Sequence, residues 1–277
     1  MMSINTARIG PRPHVAVDHC GSGPLVVFLH GIGGNRWNWR EQLPAVAPYF
    51  HAVAWDARGY GGSDDYDGPL DFADFGRDLV RVIDYFGEGS AHLVGLSMGG
   101  LIAQDVYRRY PEKVLSLVLA DTRNSFQRFN NEDFLKRRET PLVAGLTPRD
   151  IAPELAPTLA SPRASIAVIQ RLVESLSALR KESYLKTLRA VMLYGETPEV
   201  RDLDGFVDLK AVGVPTLVIC GADDRVTPPE TSIAMAAAIP TARLHIVDGA
   251  GHVSNIEKPD EFNDVLLTFL RLEVPIP

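Results

Sequence analysis

One stretch, Leu93-Val94-Gly95-Leu96-Ser97-Met98-Gly99-Gly100-Leu101, constrains the fold more than any other. The apolar run 91–94 breaks into Gly-x-Ser-x-Gly, and a helical pattern starts directly behind it. A strand must therefore feed a very tight turn and then a helix. Gly95 and Gly99 belong where the strand and helix backbones pass too close for side chains. Ser97, at the apex, is forced into a strained conformation that pushes its hydroxyl clear of the sheet. The helix from Met98 aims free N–H groups and the positive end of its dipole back at that hydroxyl. Such geometry suits a nucleophile that attacks a carbonyl. With 23 glycines in 277 residues, roughly one shuffled chain in ten would carry the pattern by chance. The surrounding chain decides between a nucleophile and an inert glycine-rich turn.

Around it, short buried strands alternate with amphipathic helices. Leu25–Leu29 and His51–Trp55 are continuous apolar runs, the mark of strands buried on both faces. Residues 14–20 alternate weakly and read as an edge strand. Phe72, Phe75, Leu79, Val82, Ile83 and Phe86 recur at helical steps and give one apolar face, closed by residues 87–90. A helix to about Tyr110 and the strand Val114–Ala120 follow the serine turn. This order implies a mostly parallel, doubly wound α/β sheet. From Thr122 to about Leu209 the buried strands give out, and helices are expected near 131–138, 147–158, 162–179 and 184–193. We read 122–209 as a helical cap over the strand ends, and 1–121 with 210–277 as the core domain. The sheet resumes at 214–220 and ends at 244–247, before a closing helix with Phe262, Val265, Leu266, Phe269 and Leu270 on one stripe.

Every functional-looking loop follows the C-terminal end of a predicted strand, and in a parallel sheet those ends share one edge. A serine hydroxyl needs an adjacent base. His252, in a glycine-closed loop after the last strand, is the best of seven histidines; His14, His19, His51, His92 and His245 read as surface or packing residues. An acid must fix the imidazole tautomer, and spacing alone does not separate Asp223 from Asp224. Oxyanion donors are expected from the backbone N–H of Met98 and from Ile32, in the loop His30-Gly31-Ile32-Gly33. His30 more naturally braces that loop than touches chemistry, but it joins Gly31 as a pocket candidate.

These loops resemble those of the α/β-hydrolase superfamily, in its serine-nucleophile branch. The nucleophile elbow is Gly95-Leu96-Ser97-Met98-Gly99, the oxyanion loop His30-Gly31-Ile32-Gly33, and Asp56-Ala57-Arg58-Gly59-Tyr60-Gly61-Gly62-Ser63 matches a further motif. The Gly-x-x-Asp-x-x-x-Pro motif falls on Gly221, Asp224 and Pro228, which selects Asp224 over Asp223. The terminal Gly-x-Gly-His is Gly249-Ala250-Gly251-His252. The resemblance implies an α/β-hydrolase fold with the cap inserted after the sixth strand, and a triad in the order Ser, Asp, His. Asp121 stays open as an alternative acid, since some relatives resemble an arrangement with the acid at that strand end. Ser97, where other branches use aspartate, implies ester or lactone hydrolysis through an acyl-serine. Carbon–carbon bond hydrolysis of a vinylogous diketone, cofactor-free haloperoxidase or perhydrolase chemistry, and a non-catalytic small-molecule receptor remain alternatives. Gly95–Gly100 with Leu119-Ala120-Asp121-Thr122 is similar to the 3-oxoadipate enol-lactonase and esterase group.

The formal charge of −7 argues against a nucleic-acid-binding surface. Two cysteines, Cys20 and Cys220, offer neither a disulfide framework nor metal-type spacing, so no metal and no cofactor are expected. Nothing is apolar enough for a signal peptide or membrane span, and a cytoplasmic protein without a membrane partner is the default. The expected partner is a small-molecule substrate; a homodimer is left open. The first cap residues are basic: Arg123, Arg128, Lys136, Arg137 and Arg138. An inward Arg123 or Arg128 would pair with a substrate carboxylate, making the substrate anionic. Trp37 is a candidate wall of the acyl pocket, and Trp39 its alternate.

Overall fold

Strands β1 (Asn5–Ile9), β2 (Val15–Cys20), β3 (Leu25–Leu29), β4 (His51–Trp55), β5 (Ala91–Leu96), β6 (Val114–Ala120), β7 (Thr216–Gly221) and β8 (Ala242–Val247) form one sheet in a computed structural model. It describes residues 3–272 apart from 88, 125–130, 196, 199 and 201–204. The strand order is β1-β2-β4-β3-β5-β6-β7-β8. Pairings of β1 with β2 and β2 with β4 are antiparallel; the rest are parallel. This is the expected mostly parallel α/β sheet.

Side-chain alternation explains its double cover. Val26 and Phe28 of β3 pack with Trp39, Val46 and Phe262 on one face, whereas Leu25, Val27 and Leu29 meet the helices of the other. On that second face lie α2 (Ala73–Phe86) and α3 (Met98–Arg109). Phe75, Leu79, Val82 and Ile83 are fully buried, each side chain stabilising the fold by about 1.5–3 kcal/mol. Gly87 ends α2 at φ 78°, a left-handed cap that favours glycine. The opposite face carries α1 (Gln42–Val46) and α10 (Pro259–Leu272), while α8 (Pro229–Ala238) joins β7 to β8 and α9 (Ser254–Glu257) follows β8.

β3 lies between β4 and β5, so the chain winds away from it in opposite directions, and the crevice at that reversal opens at the strand C-termini. Register keeps the ends level: Leu29 pairs with Gly95, and Leu96 with Ala120. The loops after β3, β5, β6 and β7 therefore start side by side.

Between β6 and β7 run α4 (Asn131–Val143), α5 (Pro148–Leu159), α6 (Ile166–Ser177) and α7 (Lys181–Gly195). A capping box starts α5, in which the Thr147 N–H and hydroxyl both donate to Asp150, at 2.8 and 2.6 Å. Ser165 caps α6 by accepting from the Val168 N–H. Helix α7 joins the main core: Tyr184 and Leu188 are buried with α2 and α3, and the Tyr194 ring stacks on Phe72 at 4.8 Å. Sequence periodicity did not reveal β1 or α1. β1 is an edge strand with only Ile9 buried, so it has no alternation to read, and α1 is too short for a helical repeat. Among the described residues no helix is long and apolar enough to cross a membrane.

His92 sits in β5, edge-on to Phe50, with Nδ1 2.9 Å from the Ser116 hydroxyl. Burial pushes its pKa down from 6.5 to about 4. The unfolded imidazole binds a proton first on acidification, so this contribution is whole above the unfolded value and is lost towards the folded one, a cost of about 3 kcal/mol. Guanidinium midpoints should therefore fall across that window in the wild type, and fall less in His92→Gln.

Candidate active site

β5 ends at Leu96 and α3 begins at Met98, leaving Ser97 alone to turn the chain. Its backbone stands at φ 53° and ψ −114°, a strained conformation that costs about 1–3 kcal/mol. Two hydrogen bonds clamp it: the Ser97 N–H donates to the Ala120 carbonyl at 2.9 Å, and the Thr122 hydroxyl donates to the Ser97 carbonyl at 2.7 Å. Strand and helix pass in contact here. A Cβ on Gly99 would lie 2.1 Å from the Leu29 carbonyl oxygen, and one on Gly95 2.4 Å from that of Gly99.

His252 reaches the serine from the loop after β8. Its Nε2 lies 2.9 Å from Ser97 Oγ, and its Nδ1 2.9 Å from Asp224 Oδ2, which is supplied by the loop after β7. A proton on Nδ1 donated to the carboxylate leaves Nε2 to accept from the hydroxyl. Asp224 also accepts from the Val226 and Thr227 N–H groups at 2.7 and 2.9 Å and from the Thr227 hydroxyl at 2.6 Å. Burial alone would raise its pKa; the facing His252 and the hydrogen bonds from His252 and Thr227 outweigh that and hold it below the usual range. Asp223 points elsewhere and accepts from the Ser161 hydroxyl at 2.6 Å.

Asp121, the alternative acid, is fully buried but bonded to other groups. It accepts from the Gly221 N–H at 2.8 Å and from the N–H and hydroxyl of Ser254 at 3.1 and 2.6 Å. It thereby ties β6 to the loops carrying Asp224 and His252. Burial, then the nearby Asp224 charge, push its pKa up.

The loop after β3 presents the other half of the site. The Gly31 carbonyl accepts from His30 Nδ1 at 2.8 Å and from the Gly34 N–H at 2.9 Å. The planar trans peptide then points the Ile32 N–H the opposite way. Gly31 abuts the serine, since a Cβ there would lie 3.3 Å from Ser97 Cβ. His30 Nε2 accepts from the Ala57 N–H at 3.0 Å, so the ring is neutral with its proton on Nδ1, and burial pushes its pKa down. It braces this loop and does not line the cavity, which corrects its candidacy as a pocket residue. The Tyr60 hydroxyl donates to the Ile32 carbonyl at 2.9 Å. Met98 N–H, at the first position of α3, has no intrahelical acceptor.

Helices α4, α5 and α6 lie over these loops and enclose a cavity of about 50 Å³ whose wall includes Gly31, Ile32, Ser97 and His252. One water occupies about 10–15 Å³ by this measure, so the space admits a short acyl group. Leu96, Leu159, Leu172, Leu176 and Val226 make it largely apolar, and Phe134 and Arg138 of α4 complete it. Trp37 is 65% exposed and lies outside this wall, while Trp39 is buried against Phe28 and Phe262. Arg123 is turned away, donating from Nη2 to the Val226 carbonyl at 2.7 Å, with its pKa pushed down to about 10 by burial. Arg128 lies outside the described residues. Among the described residues no group of three or more His, Cys, Asp or Glu side chains could hold a metal ion.

Sequence reasoning missed Thr227 and Glu257. Thr227, three residues after Asp224, has the spacing of a local side-chain turn and was findable on that ground. Glu257 accepts from the Gly251 N–H at 2.7 Å and from the Ser161 N–H at 2.9 Å, and the His252 N–H donates to the Leu159 carbonyl at 2.8 Å. The insertion thus holds the histidine loop through partners that no local pattern reveals.

A strained serine between strand and helix, with a histidine and a carboxylate from the next strand ends, is the architecture of an α/β-hydrolase. The chain belongs to the α/β-hydrolase fold family, which it matches over residues 24–259. It is similar to a provisionally named carbamate hydrolase of Azorhizobium caulinodans, 29% identical over 90% of this chain and 92% of that one. It is also similar to 3-oxoadipate enol-lactonase 2 of Acinetobacter baylyi, 26% identical over 90% of this chain and 89% of that one. Among solved structures, a thermophilic esterase from Thermogutta terrifontis with malate bound matches at a TM-score of 0.82. It is 28% identical, covering 96% of this chain and 98% of the esterase.

Proposed function

We propose that this hydrolase cleaves small carboxylic esters or lactones through an acyl-enzyme on Ser97. The observation that carries this reading is the relay in which Ser97 Oγ, His252 and Asp224 are joined by two 2.9 Å contacts. His252 Nε2 takes the hydroxyl proton as Oγ bonds to the acyl carbon, and the oxyanion is held by the N–H groups of Met98 and Ile32. Collapse of the tetrahedral species breaks the C–O bond, and His252 returns the proton to the leaving alkoxide. A water, deprotonated by His252, then attacks the acyl carbon. The carboxylic acid leaves and Ser97 recovers its proton. In a lactone the leaving alcohol stays attached to the same molecule. The small, largely apolar cavity supports a short acyl group, and we take the enzyme to be soluble and cytoplasmic.

A fluorophosphonate should modify the chain once, on the peptide containing Ser97, and abolish hydrolysis of p-nitrophenyl acetate. Modification elsewhere, or no turnover across a panel of short esters and lactones, would sink the proposal.

A further inference from the structure

Most of the buried or half-buried arginines here have a carboxylate partner: Arg36 with Asp56, Arg58 with Asp78, Arg109 with Asp105, Arg171 with Glu41. Arg138 differs. It is 4% exposed, and among the described residues no carboxylate pairs with it. Its guanidinium lies 4.2 Å from the centre of the Phe134 ring, one turn earlier on α4. Both side chains line the cavity that holds Ser97 and His252. Both also line a second, larger cavity of about 930 Å³ between α4, α5 and the segment after Asp224, so Arg138 stands at the junction of the two.

A buried guanidinium without a counter-charge is costly unless an anion arrives to pair with it. Its planar fork matches a carboxylate bidentately, and the apolar wall offers the anion little else. We infer that Arg138 is the substrate-carboxylate site: the enzyme prefers esters or lactones bearing a free carboxylate a few carbons from the scissile carbonyl. This rests on the acyl-transfer reading of the same cavity. Arg138, from the same basic stretch, takes the role that the sequence suggested for Arg123 or Arg128.

The test compares kcat/KM for the half-methyl esters of succinate and glutarate with those for the dimethyl esters, counted per ester group. Wild type should favour the anionic half-esters by about 10–100-fold, the effect of one charge-assisted pair, expressed in KM. The ratio should shrink in Arg138→Lys and approach unity in Arg138→Ala, with circular dichroism verifying the fold of both. A ratio near unity in wild type, or an unchanged preference in Arg138→Ala, overturns the assignment while leaving the hydrolase reading intact. If neither ester type turns over, the acyl-transfer reading fails, and glutarate binding by calorimetry decides the Arg138 site separately. Affinity at least tenfold weaker in Arg138→Ala supports it, and equal affinity overturns it.

Discussion

Ser97→Ala is expected to lower kcat for any good ester substrate by about 10⁵- to 10⁶-fold, the loss seen when a triad nucleophile is removed. That corresponds to about 7–8 kcal/mol of transition-state stabilisation. Alanine is the informative replacement because it inherits the φ of 53° at the elbow. The clamps from Ala120 and Thr122 bind only the backbone of residue 97 and survive the change. Glycine would relax the turn and confound loss of the hydroxyl with a shift of the oxyanion donors. With the donors in place, Ser97→Ala should still bind substrate with KM or Kd within a few-fold of wild type, and its melting temperature should match. Stopped assays with substrate above KM, alongside equilibrium binding of the same ester, measure both. Retention of more than about a hundredth of wild-type kcat would show that Ser97 is not the nucleophile.

The sequence reading reached the strand-end loops because each is announced by a buried apolar run and closed by glycines that the backbone needs. Gly95 and Gly99 are such a pair: contact between β5, α3 and β3 leaves no room for a Cβ, so the chemistry of the turn is written in residue type. The segment between β6 and β7 was legible as helices but not as a surface. Which of its basic residues faces the serine depends on how α4 is rotated and set over the sheet, and periodicity within a weakly amphipathic helix does not fix that. Arg138 and Arg123 look alike in sequence, yet one lines the cavity and the other reaches the Val226 carbonyl. Trp37 and Trp39 teach the same lesson. They lie two residues apart in a 3₁₀ turn capped by Asn35, and only the register of that turn sends Trp39 into the core and Trp37 to the surface. Glu257 was invisible for a further reason: its partners are N–H groups, Ser161 and Gly251, brought together only by folding.

The two aspartates near His252 should separate cleanly on mutation. Asp224→Asn is expected to lower kcat by about 10⁴-fold, as tautomer-reversing changes do in a Ser-His-Asp triad. The argument is geometric. One Asp224 oxygen accepts from the Val226 and Thr227 N–H groups, which fixes the amide oxygen of an asparagine there. The amide NH₂ must then face His252 Nδ1, where a donor now stands in place of the acceptor. The imidazole is driven to carry its proton on Nε2 and cannot take one from Ser97. Asp121→Asn should act differently, because Asp121 meets Gly221 and Ser254 rather than the imidazole. Its amide would place a donor against N–H donors, so the expected outcome is a stability loss of about 1–3 kcal/mol with kcat reduced by no more than about tenfold. The electrostatics point the same way. Two carboxylates share this buried region, and the one facing an imidazole and three donors keeps its charge while its neighbour is pushed towards the neutral form. Stabilising the imidazolium needs the charged one. Parallel measurement of kcat and urea midpoints for both variants decides the matter. Near-normal turnover in Asp224→Asn with collapse in Asp121→Asn would transfer the role of triad acid to the end of β6.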